Sequence, residues 1–438
     1  MVDVVSGAAV VGATKSIAQA LSVASCTLLS LSPENVNAIE ILPVEISASG
    51  MVYVEENHVI VNEDVIQIKK ELNDENSITG KIIFDIMSGP SPSGAPVSNT
   101  VQTMTSPSGN QTTVQPGEEP TYAFRDSRYA VLVDWEKQTS RLTKWINSAS
   151  FSAEFDYYST GISTTYSREI NNRLTTITSG LGLAYDYIVP VGGTPEGLVS
   201  NNIDSNDGDK TKYDVEWIVG VTQILNRHSL LQLNYTIGNA SGYLSDPYKI
   251  IAVTDDVTGD PYNLHSYYAD KRPDNRVSNI FFVNYLHDIS GDVINLSYRY
   301  FTDSWKVRSH TYDVKYNFQL KSEKELQLHF RYYDQSAASF YHYSFVEGTE
   351  SGVAKANDVI DGAARNAQRI DGIVDYASAD RRLANIKTVT VGVRYSWQSD
   401  FKNAKFGARL DHFRQTDKDG RLFELRGWIA QLVGRFLF

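Results

Sequence analysis

The stretch Trp428-Ile-Ala-Gln-Leu-Val-Gly-Arg-Phe-Leu-Phe438 decides how the rest of the chain reads. Successive side chains of a strand point to opposite sides of the sheet. Trp428, Ala430, Leu432, Gly434, Phe436 and Phe438 therefore share one face, and Ile429, Gln431, Val433, Arg435 and Leu437 share the other. An aromatic and aliphatic face backed by a face carrying Gln431 and Arg435 suits a strand with lipid on one side and water on the other. A last strand ending on an aromatic residue is the membrane-insertion signal of bacterial outer-membrane barrels, and Trp428, Phe436 and Phe438 are its candidate residues.

The same period of two recurs along the chain. In residues 307 to 320, His310, Tyr312, Val314, Tyr316, Phe318 and Leu320 oppose Thr311, Asp313, Lys315, Asn317 and Gln319. Leu326, Leu328, Phe330 and Tyr332 oppose Gln327, His329, Arg331 and Tyr333; Val389 to Trp397 and Leu231 to Ile237 behave alike. Further strands are expected near 45–54, 58–70, 77–88, 126–137, 143–157, 159–170, 173–187, 212–226, 276–288, 292–302 and 402–413. With the last strand the count is about 16, an even number as a single-chain bacterial barrel requires. Fourteen is the alternative if the first two are discounted.

A soluble sandwich would alternate too, so the connections decide. Those near 72–76, 138–142, 171–173, 226–228, 288–292, 321–324 and 400–402 are short. Those near 89–125, 188–211, 239–275, 336–385 and 414–426 are long, and they fall on the opposite parity. A barrel with short periplasmic turns and long extracellular loops obeys this rule, and a sandwich has no reason to. The expected fold is all-β: an up-and-down antiparallel transmembrane β-barrel in which every backbone N–H and C=O is paired without an edge strand.

Composition agrees. The chain has 438 residues, 26 Tyr and 17 Phe, an aromatic excess that suits interfacial girdles. Beyond the first 38 residues no uncharged apolar run approaches the roughly 20 residues of a spanning helix. A formal net charge of −12 repels polyanions and excludes nucleic acid as a natural partner. Lys15, the apolar stretch Ile17 to Leu31 and the small residues at Val36-Asn37-Ala38 read as a signal peptide over 1–38, leaving 39–438 as the mature barrel, exported to and integral in the outer membrane. Val23-Ala24-Ser25-Cys26 matches a lipoprotein box, but Thr27 to Leu31 continues apolar beyond it. Cys26 is the single cysteine, so the mature chain is expected to hold no disulfide, thiolate metal site or covalently bound haem. No cofactor is expected.

The polar set of such strands faces the lumen. The lumen-facing candidates are Lys81, Asp85, Asp134, Glu154, Asp156, Arg299, Asp313, Lys315, Arg331, Arg394 and Arg435. They read either as a channel wall that tunes selectivity or as a structural network across a plugged interior. The Ser-, Thr-, Pro- and Gly-rich loop Gly89 to Pro120 cannot bury a core of its own, and it either enters the lumen or lies on the rim. Asn202-Ile-Asp204-Ser-Asn206-Asp207-Gly208-Asp209 begins like a calcium loop but lacks the glutamate at its twelfth position. A solvated acidic turn is the better reading there, as for Asp255-Asp256 and Asp260. No metal site is expected. The eight histidines show neither zinc spacing nor a nucleophile elbow. His310 and His412, with Asp303 and Ser304 near the former, are better explained as interfacial side chains than as a hydrolase site.

Several blocks also carry a family resemblance: Phe84-Asp85 leading to Ser88-Gly-Pro-Ser-Pro-Ser-Gly-Ala95, Phe124-Arg-Asp-Ser-Arg128, Val221-Thr-Gln223 with Asn226-Arg227, and Ser241-Gly-Tyr-Leu-Ser-Asp-Pro-Tyr-Lys249. They continue with Arg272-Pro-Asp274, Ser297-Tyr-Arg-Tyr300 through Trp305, Arg331-Tyr-Tyr333 with Gln335-Ser-Ala-Ala338, and Ser378-Ala-Asp-Arg-Arg-Leu383. Together these resemble a family of uncharacterised Gram-negative outer-membrane proteins, known as a domain of unknown function with barrel structure. The resemblance implies a barrel and transfers no catalytic residue. Asp246-Pro-Tyr-Lys249 and Arg272-Pro-Asp274 bracket a long loop, where rigid prolines beside charges suggest anchors of a defined mouth.

The functional expectation is a polar-lined channel for small solutes or exported molecules, not an enzyme. The alternative is a scaffold that houses or displays an envelope partner such as a lipoprotein, a redox component or a secretion component, and a membrane-embedded hydrolase ranks last. Outer-membrane lipid and the barrel assembly machinery are the expected partners.

Overall fold

The computed structural model describes residues 44–105, 111–200, 207–255, 267–347, 359–360, 369–370, 373–399 and 404–438. Residues 1–38, expected to be a signal peptide, and most of the acidic stretches 202–209 and 255–260 lie outside the described residues.

Strands follow where the alternation runs. In chain order they are β1 (Val44–Glu55), β2 (Ile60–Asn73), β3 (Asn76–Pro92), β4 (Gln102–Thr105), β5 (Gln111–Val114), β6 (Thr121–Ser140), β7 (Thr143–Ala153), β8 (Tyr157–Ile170), β9 (Thr175–Ile188), β10 (Lys210–Asn226) and β11 (Ser229–Gly242). The rest are β12 (Ile250–Thr254), β13 (Tyr267–Ala269), β14 (Asn275–Ile289), β15 (Asp292–Asp303), β16 (Arg308–Leu320), β17 (Lys324–Gln335), β18 (Phe345–Glu347), β19 (Val359–Ile360), β20 (Ile386–Gln398), β21 (Lys405–Asp417) and β22 (Leu425–Leu437). Sixteen of them close one antiparallel barrel in the order β1-β2-β3-β6-β7-β8-β9-β10-β11-β14-β15-β16-β17-β20-β21-β22. The ring closes where β1 pairs with β22, from Glu45 opposite Leu437 to Glu55 opposite Gly427. No helix among the described residues is long and apolar enough to cross a membrane, which says nothing against crossing by strands.

The expected strands are present, the first two included, with one boundary that matters. The strand expected over 143–157 ends at Ala153, so Glu154 and Asp156 belong to a connecting turn and not to the wall. The hairpin turns at 74–75, 141–142, 171–174, 227–228, 290–291 and 321–323 lie at one end of the barrel, where Val44 and Phe438 exchange backbone hydrogen bonds of 2.9 Å, and the short connections 56–59, 154–156 and 304–307 lie at the other. The Ser290-Gly291 hairpin shows why the former are tight: both φ values are positive, 57° and 102°, the backbone of a two-residue turn whose twist matches its flanking strands. All long connections lie at the other end, which we call the loop end.

One face of the barrel strands is exposed and mainly apolar, with polar interruptions such as Asp64 on β2. Leu432 is 66% exposed and Ile82 58%, whereas Ile429, three residues from Leu432, is 2% exposed. Reach across the sheet shows which face is concave. His329 on β17 contacts Asp411 on β21, and Tyr53 on β1 stacks on Phe413 of β21 with ring centroids 5.4 Å apart. Both pairs step over an intervening strand, which side chains do only where they converge, inside the barrel. A glycine lies beneath each crossing: a Cβ on Gly392 would sit 1.6 Å from Asp411 Oδ1, and one on Gly427 would sit 2.5 Å from the Phe413 ring.

Candidate functional site: a polar wall and a loop domain across the mouth

The inner face is charged in both signs and largely paired. On one side of the barrel Arg128 Nε donates to Asp85 Oδ2 at 2.6 Å, and Ser148 Oγ donates to Asp134 Oδ1 at 2.5 Å. Opposite, His329 sits between two carboxylates, with Nε2 2.9 Å from Asp313 Oδ2 and Nδ1 3.3 Å from Asp411 Oδ1. Lys315 Nζ is 3.6 Å from Asp313 and Arg409 Nε is 2.5 Å from Asp411, which extends the network over β16, β17 and β21. A third group joins Lys212 Nζ to Asp186 and Asp214, each at 3.0 Å.

Of the sequence candidates, Lys81, Asp85, Asp134, Arg299, Asp313, Lys315, Arg331, Arg394 and Arg435 lie on the face opposite the exposed apolar one. They do not form one cluster. Asp85 and Asp134 belong to the first group, Asp313 and Lys315 to the second, and Arg435 pairs with Glu45 near the tight-turn end. Glu154 and Asp156 meet Asp126 instead, with carboxylate oxygens within 4.8 Å of one another at the loop end. Burial and then the neighbouring Asp126 carboxylate raise Glu154 to about 7 and Asp156 to about 6.

The long connections do not hang free. Leu198, Ile251, Val253, Tyr268, Phe345, Ile370, Ala377 and Ala379 form one buried core, drawn from the connections 189–209, 243–274 and 336–385. Ala95 and Val114 form a second, adjoining core with Ile250 and Tyr267, which fastens the connection 93–120 to 243–274. The short strands β13, β12, β18 and β19 form a four-stranded sheet within the first core. The connections after β3, β11 and β17 leave the ring six, four and six barrel strands apart. A ring of this many strands is about 30 Å across, given strands ~4.8 Å apart and tilted by about 40°. Loops from points so spread can share a core only by crossing the opening. The loop rich in Ser, Thr, Pro and Gly lacks a core of its own, as its composition implies, and lies against that of its neighbours.

A buried ion cluster ties the loop domain together. Arg272 donates to Asp270 at 2.7 Å and to Asp380 at 2.9 Å. Arg382 Nε donates to both Asp380 oxygens at 2.9 and 2.7 Å, and its Nη2 reaches Asp246. The Asp246 N–H donates to Asp270 at 2.9 Å. Lys249 Nζ donates to Ser91 Oγ at 3.2 Å and to the Pro92 carbonyl. Burial alone would raise the Asp380 carboxyl, but Arg382 and Arg272 beside it hold it well below the ordinary carboxylate range. Asp270 is raised by burial despite Arg272. Asp246, Asp270 and Asp380 are thus bonded by the two guanidinium groups, and Lys249 stands at the edge of the cluster on neutral oxygens.

The chain matches the family described as "Protein of unknown function (DUF3570)" over residues 18–433. It belongs to that family. Among solved structures it is similar to a bacterial polysaccharide outer membrane secretin, at 9% identity and TM-score 0.44, covering 92% of this chain and 100% of the other. It is similar to OccK3 (OpdO) of Pseudomonas aeruginosa at 7% identity and TM-score 0.39, covering 91% and 96%. For the siderophore receptor PirA of Pseudomonas aeruginosa the values are 6% and 0.39, covering 86% of this chain and 57% of that one. No curated protein matches the sequence.

In this family member several of the blocks that carry the resemblance converge in space, while Val221-Thr-Gln223 with Asn226-Arg227 lies at the tight-turn end. Asp246 and Lys249, Arg272, Ser91-Pro92, and Asp380 to Leu383 meet in the ion cluster. Gln335 Nε2 donates to the Arg382 and Ala384 carbonyls at 3.0 Å each, and the Trp305 ring meets Phe340 edge-on at 5.1 Å. The prolines read as loop anchors are thus beside the charges that fasten the loops. Reading from the residues alone missed Arg128, His329, Asp411 and Lys212 as members of the inner network; only the inward parity of their strands signalled them.

Proposed function

We propose that the chain is an integral outer-membrane barrel that passes small polar solutes through its lumen, with passage limited by the loop domain at the mouth. The observation that carries this reading is the shared core of loops from widely spaced points of the ring, lying across a barrel whose inner wall is charged. A ring of this width is too wide for its own side chains to fill, and a wall charged in both signs suits an interior that holds water and polar solutes. The exposed apolar face favours a lipid setting, and the loop end would face outward with the tight turns in the periplasm. Trp428, Phe436 and Phe438 would serve insertion by the barrel assembly machinery after export and removal of residues 1–38.

The experiment is planar-bilayer recording of the purified protein alongside a variant whose ion cluster is broken, Arg272→Gln with Arg382→Gln. The expected result is small or infrequent conductance steps for the unaltered protein and larger or more frequent ones for the variant. Silence from both proteins, each shown to be folded by its heat-dependent gel migration, would overturn passage as the function.

A further inference from the structure

We propose that the loop domain binds one small monovalent anion, of halide or formate size, in a cavity between the connections 93–120, 379–381 and 421–423. The cavity has a volume of ≈30 Å³, and Lys249, Tyr343, Arg381 and Arg421 line it together with Glu119 and Asp380. Both carboxylates there are engaged. Asp380 holds Arg272 and Arg382, and Glu119 Oε2 lies 2.9 Å from His58 Nε2.

Lys249 and Arg381 are not matched in the same way. Among the described residues Lys249 donates to the neutral oxygens of Ser91 and Pro92 and to no carboxylate. Arg381 gives Nη2 to the Phe423 carbonyl at 3.1 Å, while its Nε and Nη1 are buried without a hydrogen-bond acceptor among the described residues. Its nearest carboxylate, Glu119, is 3.7 Å from Nη1. The Tyr343 hydroxyl accepts from Val97 N at 3.3 Å, which leaves its own proton to donate. Buried donors on cations are costly to leave unmatched, and an anion in the cavity would have Arg381, Tyr343 and Lys249 as donors. Burial pulls the Lys249 ammonium below its ordinary pKa, consistent with a cation that lacks a bonded carboxylate. Size sets the class: the volume admits about two or three water-sized occupants, room for a halide or formate.

Anomalous diffraction from crystals of the full chain grown in sodium bromide tests the site directly, with a bromide peak expected beside Arg381 and Lys249. A second arm compares hydrogen exchange at the Ile250 amide, which donates to Ser93 O across this junction, in sodium chloride and in sodium gluconate at equal ionic strength. Exchange should be about tenfold slower in chloride at roughly ten times its Kd, and the difference should vanish in Arg381→Met and shrink in Lys249→Met. A cavity that shows no bromide, or an unchanged chloride effect in both variants, overturns the proposal. Neither readout depends on whether the barrel conducts.

Discussion

Asp380→Asn should loosen the loop domain while leaving the barrel intact. Asp380 is 1% exposed and accepts from Arg272 Nη2, Arg382 Nε and the Arg382 N–H at distances of 2.7 to 3.0 Å. Asparagine keeps the shape and the oxygen that caps the short turn at 381–383, but it removes the charge that balances two guanidinium groups. Breaking a buried ion pair by losing one partner costs about 3–5 kcal/mol. Taking the lower figure, because asparagine still accepts hydrogen bonds, the opening equilibrium rises about a hundredfold at ~1.4 kcal/mol per decade. Hydrogen exchange reads this at amides that bond between loops: Leu198 to Ala269 O, Lys271 to Ala377 O, and Ala377 to Lys271 O. These should exchange about a hundredfold faster in the variant while amides of β14 to β17 do not change. In the unaltered protein the depressed carboxyl adds stability that is present above the ordinary aspartate pKa and is lost only as pH falls through the lower folded value. Protection of the same amides should therefore persist at about pH 4. Unchanged exchange in the variant, or acceleration shared equally by the barrel strands, would refute the idea of a separately held domain.

Other outcomes follow from the wall and its two faces. Gly392→Ala places a Cβ 1.6 Å from Asp411 Oδ1, which must evict that carboxylate from His329 and Arg409 at a cost of about 3 kcal/mol; Gly80→Ala, with nothing within 4 Å, should change urea unfolding by less than about 0.5 kcal/mol. On β3, Ile82→Arg points into lipid and should cost about 2–4 kcal/mol in bilayer refolding, whereas Thr79→Arg on the opposite face should cost under about 1 kcal/mol. Equal costs for the two would contradict the assignment of faces. Glu154 is raised to about 7, so its contribution is complete below about pH 4.5 and disappears as pH climbs through 7. Unfolding stability should fall by roughly 2–3 kcal/mol across that window, and Glu154→Gln should flatten the dependence.

The barrel was legible because lipid and water impose a two-residue rhythm along the membrane strands, and because the long connections all fall at one end. The loop domain obeys neither signal. Ile250-Ile-Ala-Val-Thr254 is buried at every position, so it has no alternation to detect, and β13 and β18 are three residues each, too short for any period. The acidic group at 154–156 was misassigned to the wall for a related reason: alternation continues through a tight turn even after the ladder has stopped.

Parity tells which way a side chain points but not whom it meets. His329 and Asp411 each read as inward from their own strands, yet their meeting depends on a gap at Gly392, in register with both. Replacing that glycine would leave the sequence rhythm of all three strands untouched while abolishing the contact. The same reasoning covers the ion cluster, where Asp246 and Arg382 are 136 positions apart and are brought together only because loops from distant points of one ring close over a common centre. Proline and charge in those blocks marked the places where the loops are fastened. What they could not mark is that the fastenings are to one another, since that follows from closure of the ring and not from any local pattern.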